Sequence, residues 1–225
     1  MNLVGRAVFN LPCIGLRPWS RPGHPGHTSH FGSPDAPPRG SQRRADTARR
    51  LASERLVTSS AQRGFRVAPI RVENVVDVTE TRLVIEGAAL KRSIEIGDVA
   101  WETRVVAAHH ALSRVADPTR QGPEAEVWTA RHKAFHMALI SACGSEWQLY
   151  LADLLFDQAE RFRILPKVKT IPSFNLRDPA KEHQQIINAV LNRDVTRSIA
   201  ALEDHYRATM HITLDALNGL EAENG

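Results

Sequence analysis

From about residue 77 to the end of the chain, apolar residues return every three or four positions, the spacing of one face of an α-helix. Six such runs can be marked off by their start and stop signals. Asp77-Val-Thr-Glu80 has the form of a capping box and predicts a first helix to about Ile96, stopped at Gly97. Asp98 caps a second, whose stripe is Trp101, Val105, Ala108, Leu112 and Val115, ending before Asp117-Pro118. A third covers Gly122 to Cys143, with Trp128, His132, Phe135, His136, Leu139, Ile140 and Cys143 at steps of three and four. The fourth starts at Ser145 and carries Trp147, Leu151, Leu154, Leu155, Gln158 and Phe162 inward. Asp178-Pro179, an N-cap followed by proline at the first helical position, opens the fifth, and Asp194 caps the sixth. Helices of this length with short connections predict a mainly α fold, an antiparallel bundle of six to seven helices over residues 75–220.

The pattern changes upstream. Ala48, Leu51, Ala52 and Leu56 predict a short helix from Ala45 to Leu56. Leu56-Val57-Thr58, a turn over Ser59–Gln62, and Gly64–Ala68 then predict a hairpin, with Arg63 and Arg66 at its tip or second strand. A helix followed by a basic hairpin is the back half of a winged helix, so residues 45–70 are assigned to a partial DNA-binding unit. Residues 1–40 hold 13 of the chain's 26 glycines and prolines without periodicity. Residues 1–44 are therefore expected to be a disordered basic extension.

Charge sharpens this division. The net +4 of the chain resolves into +5 for residues 1–44, +3 for 45–70 and −4 for the remainder. A basic front on a mildly acidic body suits contact with nucleic acid at one end only. Two cysteines, Cys13 and Cys143, make no disulfide framework, and no apolar run approaches the roughly 20 residues that span a bilayer. The expectation is a cytoplasmic protein that does not enter the membrane.

Four histidines stand out because they fall on or beside apolar stripes. His132 and His136 are one turn apart on the third helix, His183 shares its face with Ile186, Ile187, Val190 and Leu191, and His205 sits with Val195, Ile199, Leu202 and Tyr206. Neutral imidazoles at the inward edge of three helices can form a transition-metal site, or can serve as hydrogen-bonded core residues. Spacing alone leaves both open.

Three stretches resemble the GntR family of bacterial transcription regulators, in the branch with the FadR-type C-terminal (FCD) ligand-binding domain. They are Val78-Thr-Glu-Thr-Arg-Leu-Val-Ile-Glu86, Phe135-His-Met-Ala-Leu139, and Glu182-His183 running on to Asp194, with His205 closing the set. Glu80–Glu86 and Val105-Val-Ala-Ala-His-His110 further resemble the carbon-starvation-induced regulator subgroup. The resemblance implies a homodimeric, ligand-responsive transcription regulator that binds operator DNA, holding a divalent metal and a small carboxylate or dicarboxylate effector in its helical domain. By position, His136, His183 and His205 are implied as ligands. The family's fourth ligand is typically an aspartate, and here that place is His132. An all-imidazole shell favours zinc or nickel over magnesium and strengthens the pull on an anion.

Arg82, in the first turn of the first predicted helix, is implied as an effector contact, since a guanidinium can grip a carboxylate through two parallel bonds. Gln158 and Arg161, on or beside the inward stripe of the fourth helix, are further candidates. Salt bridges to Glu86 or Glu160 are the structural alternative for the two arginines. Arg50, Arg63, Gly64 and Arg66 are the DNA-binding candidates. Only Arg50–Val57 and Gln62–Val67 match the family's winged helix, and its two upstream helices are replaced by the Arg/Pro/Gly/His-rich stretch. That remnant implies weak, salt-sensitive, largely non-specific DNA binding. Two other readings use the same histidines: a metal-dependent hydrolase or lyase, and a metal-free dimerisation module. The enzyme reading lacks a base, because Glu182 is expected to point off the ligand face of its helix and there is no His-Glu-x-x-His motif. His109 and His110 are placed at a solvated helix end.

Overall fold

The computed structural model describes residues 39–53, 56–60, 64–115, 123–168 and 177–224. The extension up to residue 38 and Arg63 lie outside them. The chain divides into two compact units, Met1–Pro69 and Ile70–Gly225.

In the first unit, helix α1 (Arg39–Ser53) is followed by an antiparallel hairpin, β1 (Val57–Ser60) and β2 (Gly64–Val67). Val57 faces Val67 and Ser60 faces Gly64. Gly64 has φ of +76°, a conformation that glycine adopts without steric cost. α1 begins six residues before Ala45, so residues 39–44 belong to a helix rather than to an irregular extension. The run Gln42-Arg43-Arg44-Ala45 consists of good helix formers, and Asp46 pairs with Arg49 one turn on at 2.7 Å. The hairpin is tied to α1 by Leu56 N–H to Leu51 O, 2.8 Å, and closed by Ala68 N–H to Leu56 O, 3.1 Å.

The second unit is a bundle of six helices among the described residues: α2 (Val72–Ile96), α3 (Val99–Ser113), α4 (Pro123–Ile140), α5 (Glu146–Val168), α6 (Pro179–Leu191) and α7 (Val195–Asn224). α2 lies against α5 and α7, α6 against α7, and α3 against α4. One core cluster is built around Leu90, Trp101, Phe135, Leu139 and Ile186; a second joins Val75, Phe162, Met210 and Leu217. No described helix is long and apolar enough to cross a membrane.

Two sequence expectations fail for packing reasons. α2 starts at Val72, five residues before Asp77, and the capping box lies inside the helix. Val72, Val75 and Val78 pack into the second core cluster, and this burial carries the helix past the local start signal. Trp147, placed on the inward stripe of α5, is 74% exposed and makes an edge-to-face contact with Tyr150. It sits in the first turn of α5, whose buried face begins further on, with Ala152 and Phe156.

Other caps behave as their residues dictate. The Asp98 carboxylate accepts from Trp101 N–H at 2.8 Å and the Asp178 carboxylate from Lys181 N–H at 3.2 Å. The Arg193 guanidinium, carried at φ of 55° just past α6, donates to Ile94 O and Gly97 O at the end of α2, 2.8 and 2.7 Å. Gly97 itself is buried against the indole of Trp101. A Cβ there would collide with that ring and with Ser93 O, so Gly97→Ala is expected to cost about 1–3 kcal/mol by overpacking. A lowered urea midpoint with an unchanged slope would be the signature.

Candidate metal centre

His132 and His136 come from α4, His183 from the first turn and a half of α6, and His205 from α7. All four are buried, and one nitrogen from each lies within 4.8 Å of those of the other three. Ring centroids are 4.6 Å apart for His132–His136, 5.0 Å for His132–His183 and 4.6 Å for His183–His205. The helix repeat explains this: four residues separate His132 from His136, so both rings leave α4 on one face and meet α6 and α7 across the core. Trp128 stacks on His132 at 4.4 Å, and Phe156 fills the side next to His132 and His136.

Burial holds all four imidazoles neutral. It pushes His132, His136 and His205 well below the ordinary histidine range, each imidazole opposing a charge on the next, and takes His183 to about 3. A neutral imidazole keeps one nitrogen lone pair, which is the form that ligates a metal.

The contacts of the ring nitrogens separate those with a partner from those without one. His205 Nδ1 lies 2.7 Å from Glu182 Oε2 and His136 Nδ1 lies 3.0 Å from the Tyr206 hydroxyl, while His136 Nε2 and His132 Nε2 approach to 3.0 Å inside the cluster. His132 Nδ1 and His183 Nε2 are buried without a partner. Orphaned buried nitrogens are costly in a core of satisfied histidines, whereas in a ligand set a free imidazole nitrogen has a purpose. The residues present fit a divalent transition metal, whose bonds to histidine nitrogen run about 2.0–2.1 Å for zinc.

Glu182 departs from its expectation. It does not point away from the site: its carboxylate takes His205 Nδ1–H and also a fork from Arg177, Nε to Oε1 at 2.7 Å and Nη2 to Oε2 at 2.5 Å. Residue 182 precedes His183 by 100° of helix, and this turns it toward α7 rather than into solvent. Both carboxylate oxygens are thus engaged. Arg177 further donates to His205 O, 2.9 Å, and Thr209 Oγ1, 2.7 Å. His109 also departs from expectation: it is half-buried, with its ring 5.4 Å from Phe135, whereas His110 is exposed.

Beside the cluster lies a small cavity of about 30 Å³, lined by His132, His205, Arg82, Arg163, Glu160 and Tyr206, with three threonines and apolar side chains of α2, α5 and α7 between them. Arg82 stands eleven residues into α2, not in its first turn. Its Nε donates to Glu86 Oε1 at 2.7 Å and its Nη2 to the Tyr206 hydroxyl at 2.8 Å. Gln158 and Arg161 do not line this cavity; Arg161 Nη1 donates to Gln158 Oε1 at 3.2 Å. Arg163, two residues on, does line it. Its guanidinium lies 4.1 Å over the Trp128 ring and pairs with Glu160, so Glu160 serves Arg163 and not Arg161. Arg163 and Arg177 are the participants that helix periodicity did not single out; Tyr206 stood on the inward stripe of His205, as a core neighbour only. In the first unit, Arg50, Gly64 and Arg66 are all exposed.

Residues 77–208 match the FCD domain family. The chain belongs to the FCD-domain branch of the GntR-type transcription regulators. Among family members it is 34% identical to the HTH-type transcriptional regulator BphR of Paraburkholderia xenovorans, over 72% of this chain and 66% of BphR. It is 33% identical to the HTH-type transcriptional repressor GlaR of Escherichia coli, over 75% of this chain and 77% of GlaR. The chain thus spans about two thirds to three quarters of the length of these relatives. Its fold is that of the FCD domain of TM0439, solved metal-free and Zn2+-bound. The metal-free form has a TM-score of 0.53 at 18% identity, covering 68% of this chain and 99% of that one. The Zn2+-bound form has a TM-score of 0.50, also at 18% identity, covering 67% and 98%.

Proposed function

We propose that this protein is a ligand-responsive transcription regulator whose helical unit binds a divalent transition metal through His132, His136, His183 and His205. The observation that carries the reading is the closed set of four buried, neutral imidazoles, two with an unpartnered nitrogen. The zinc bound by the TM0439 domain supports it. An all-nitrogen set selects zinc or nickel, because magnesium and calcium require oxygen ligands. The bound ion would add uncompensated positive charge beside the cavity lined by Arg82 and Arg163, and so favour a small carboxylate effector there. At about 30 Å³ the cavity admits a water-sized group, and an effector enters as the side chains around it give way. A homodimer would then pass the change to two DNA-binding units through the spacing of their half-sites. The basic residues Arg50 and Arg66 are the surface that would meet DNA.

Metal content by mass spectrometry on the purified chain, beside a His136→Ala, His183→Ala variant, tests the core of this reading. Near-stoichiometric zinc or nickel in the parent, lost in the variant, is the expected result. A parent that stays metal-free after reconstitution would make the histidines core residues, and the effector reading would fall with the metal.

A further inference from the structure

Tyr206 sits at the junction of three helices and three polar side chains, and its hydrogen bonds can be resolved by counting protons. Its buried hydroxyl lies 2.8 Å from Arg82 Nη2, 2.5 Å from Glu86 Oε2 and 3.0 Å from His136 Nδ1. A phenol offers one O–H and two lone pairs. Arg82 can only donate, so it takes one lone pair. The Glu86 carboxylate oxygen accepts, so it takes the O–H. The remaining lone pair faces His136 Nδ1, which must then carry the ring proton, leaving the Nε2 lone pair to face the other histidines.

Resting on the metal-site reading above, we infer that Tyr206 is a positioning residue for the centre: held by Arg82 and Glu86, it fixes His136 in the Nδ1–H tautomer and so presents Nε2 to the ion. Glu182 does the same for His205 Nδ1. The two histidines are served differently, one by a carboxylate directly and the other through a phenol, and only the phenol links the centre to Arg82 on the cavity wall.

The proton count predicts what a near-isosteric change does. In Glu86→Gln the amide oxygen is kept by Arg82 Nε, which can only donate, so the amide NH₂ faces Tyr206. The phenol then receives two donors, its O–H swings to His136 Nδ1, and the ring proton moves to Nε2, where it blocks the metal. In Tyr206→Phe the constraint is removed and His136 samples both tautomers.

The test is histidine-tautomer NMR on the metal-free protein, with zinc affinity measured in parallel for the parent, Tyr206→Phe and Glu86→Gln. Expected are an Nδ1–H His136 in the parent, a mixture in Tyr206→Phe and an Nε2–H ring in Glu86→Gln. Zinc affinity should be about 10–100-fold weaker in both variants. An Nε2–H His136 in the parent, or an unchanged tautomer in both variants, overturns the inference. The tautomer is read without metal, so a parent that binds no zinc but keeps the predicted tautomers refutes the metal reading alone. If Glu86→Gln does not fold, Tyr206→Phe still decides, because it removes one oxygen and leaves the charge pair in place.

Discussion

Zinc at a thousandfold excess over its dissociation constant is expected to raise the melting temperature of the metal-free protein by about 8–16 °C. An ion that binds only the folded chain stabilises it by RT ln(1 + [L]/Kd), about 4 kcal/mol at that excess. For a domain of this size each kcal/mol corresponds to roughly 2–4 °C. His183→Ala should melt below the metal-free parent, because a buried ring is lost, and should show a much smaller zinc shift, because its unpartnered Nε2 is a ligand atom in this reading. A thermal-shift titration with zinc, nickel and magnesium side by side reads the selectivity as well. Equal shifts with magnesium would contradict an all-imidazole site. No shift at all would mean that the four rings simply fill the core.

Arg82→Met is expected to destabilise the metal-free bundle by about 3–5 kcal/mol, the cost of leaving one member of a buried ion pair without its partner. Both side chains are out of water, 8% and 3% exposed, so solvent does not screen the pair. Removing the arginine leaves the Glu86 carboxylate facing a single phenol in the core. The variant that replaces both, Arg82→Met with Glu86→Leu, should recover most of the loss, since an apolar pair needs no compensation. Urea denaturation of the two single variants and the double gives the coupling directly. A loss below about 1 kcal/mol for Arg82→Met would place the pair among surface-like bridges.

How much of this was legible in the chain follows from which interactions are local. Helix faces are local, since the next three or four residues decide them, and His132, His136, His183 and His205 could therefore be placed on inward stripes one helix at a time. Their convergence on one point is not local, and sequence spacing left it open. The start of α2 was misread because Asp77–Glu80 satisfies a capping rule that the packing of Val72 and Val75 overrides. Glu182 was misplaced because helix position gives the direction of a side chain but not the presence of Arg177 and His205 to receive it. Tyr206 was legible as a core residue; its partner Glu86 is 120 residues away, and no periodicity reports a contact of that separation.

That separation has a consequence for how the protein is made. The contacts of Arg82 and Glu86 with Tyr206 close loops of 124 and 120 residues, and the fourth histidine of the cluster, His205, arrives on α7. A nascent chain that has emerged only as far as α6 carries three of the four imidazoles but nothing to orient His136 and no fourth ring. Full-strength metal capture would therefore report a bundle that includes α7, and a chain truncated before α7 would compete poorly for the ion during synthesis.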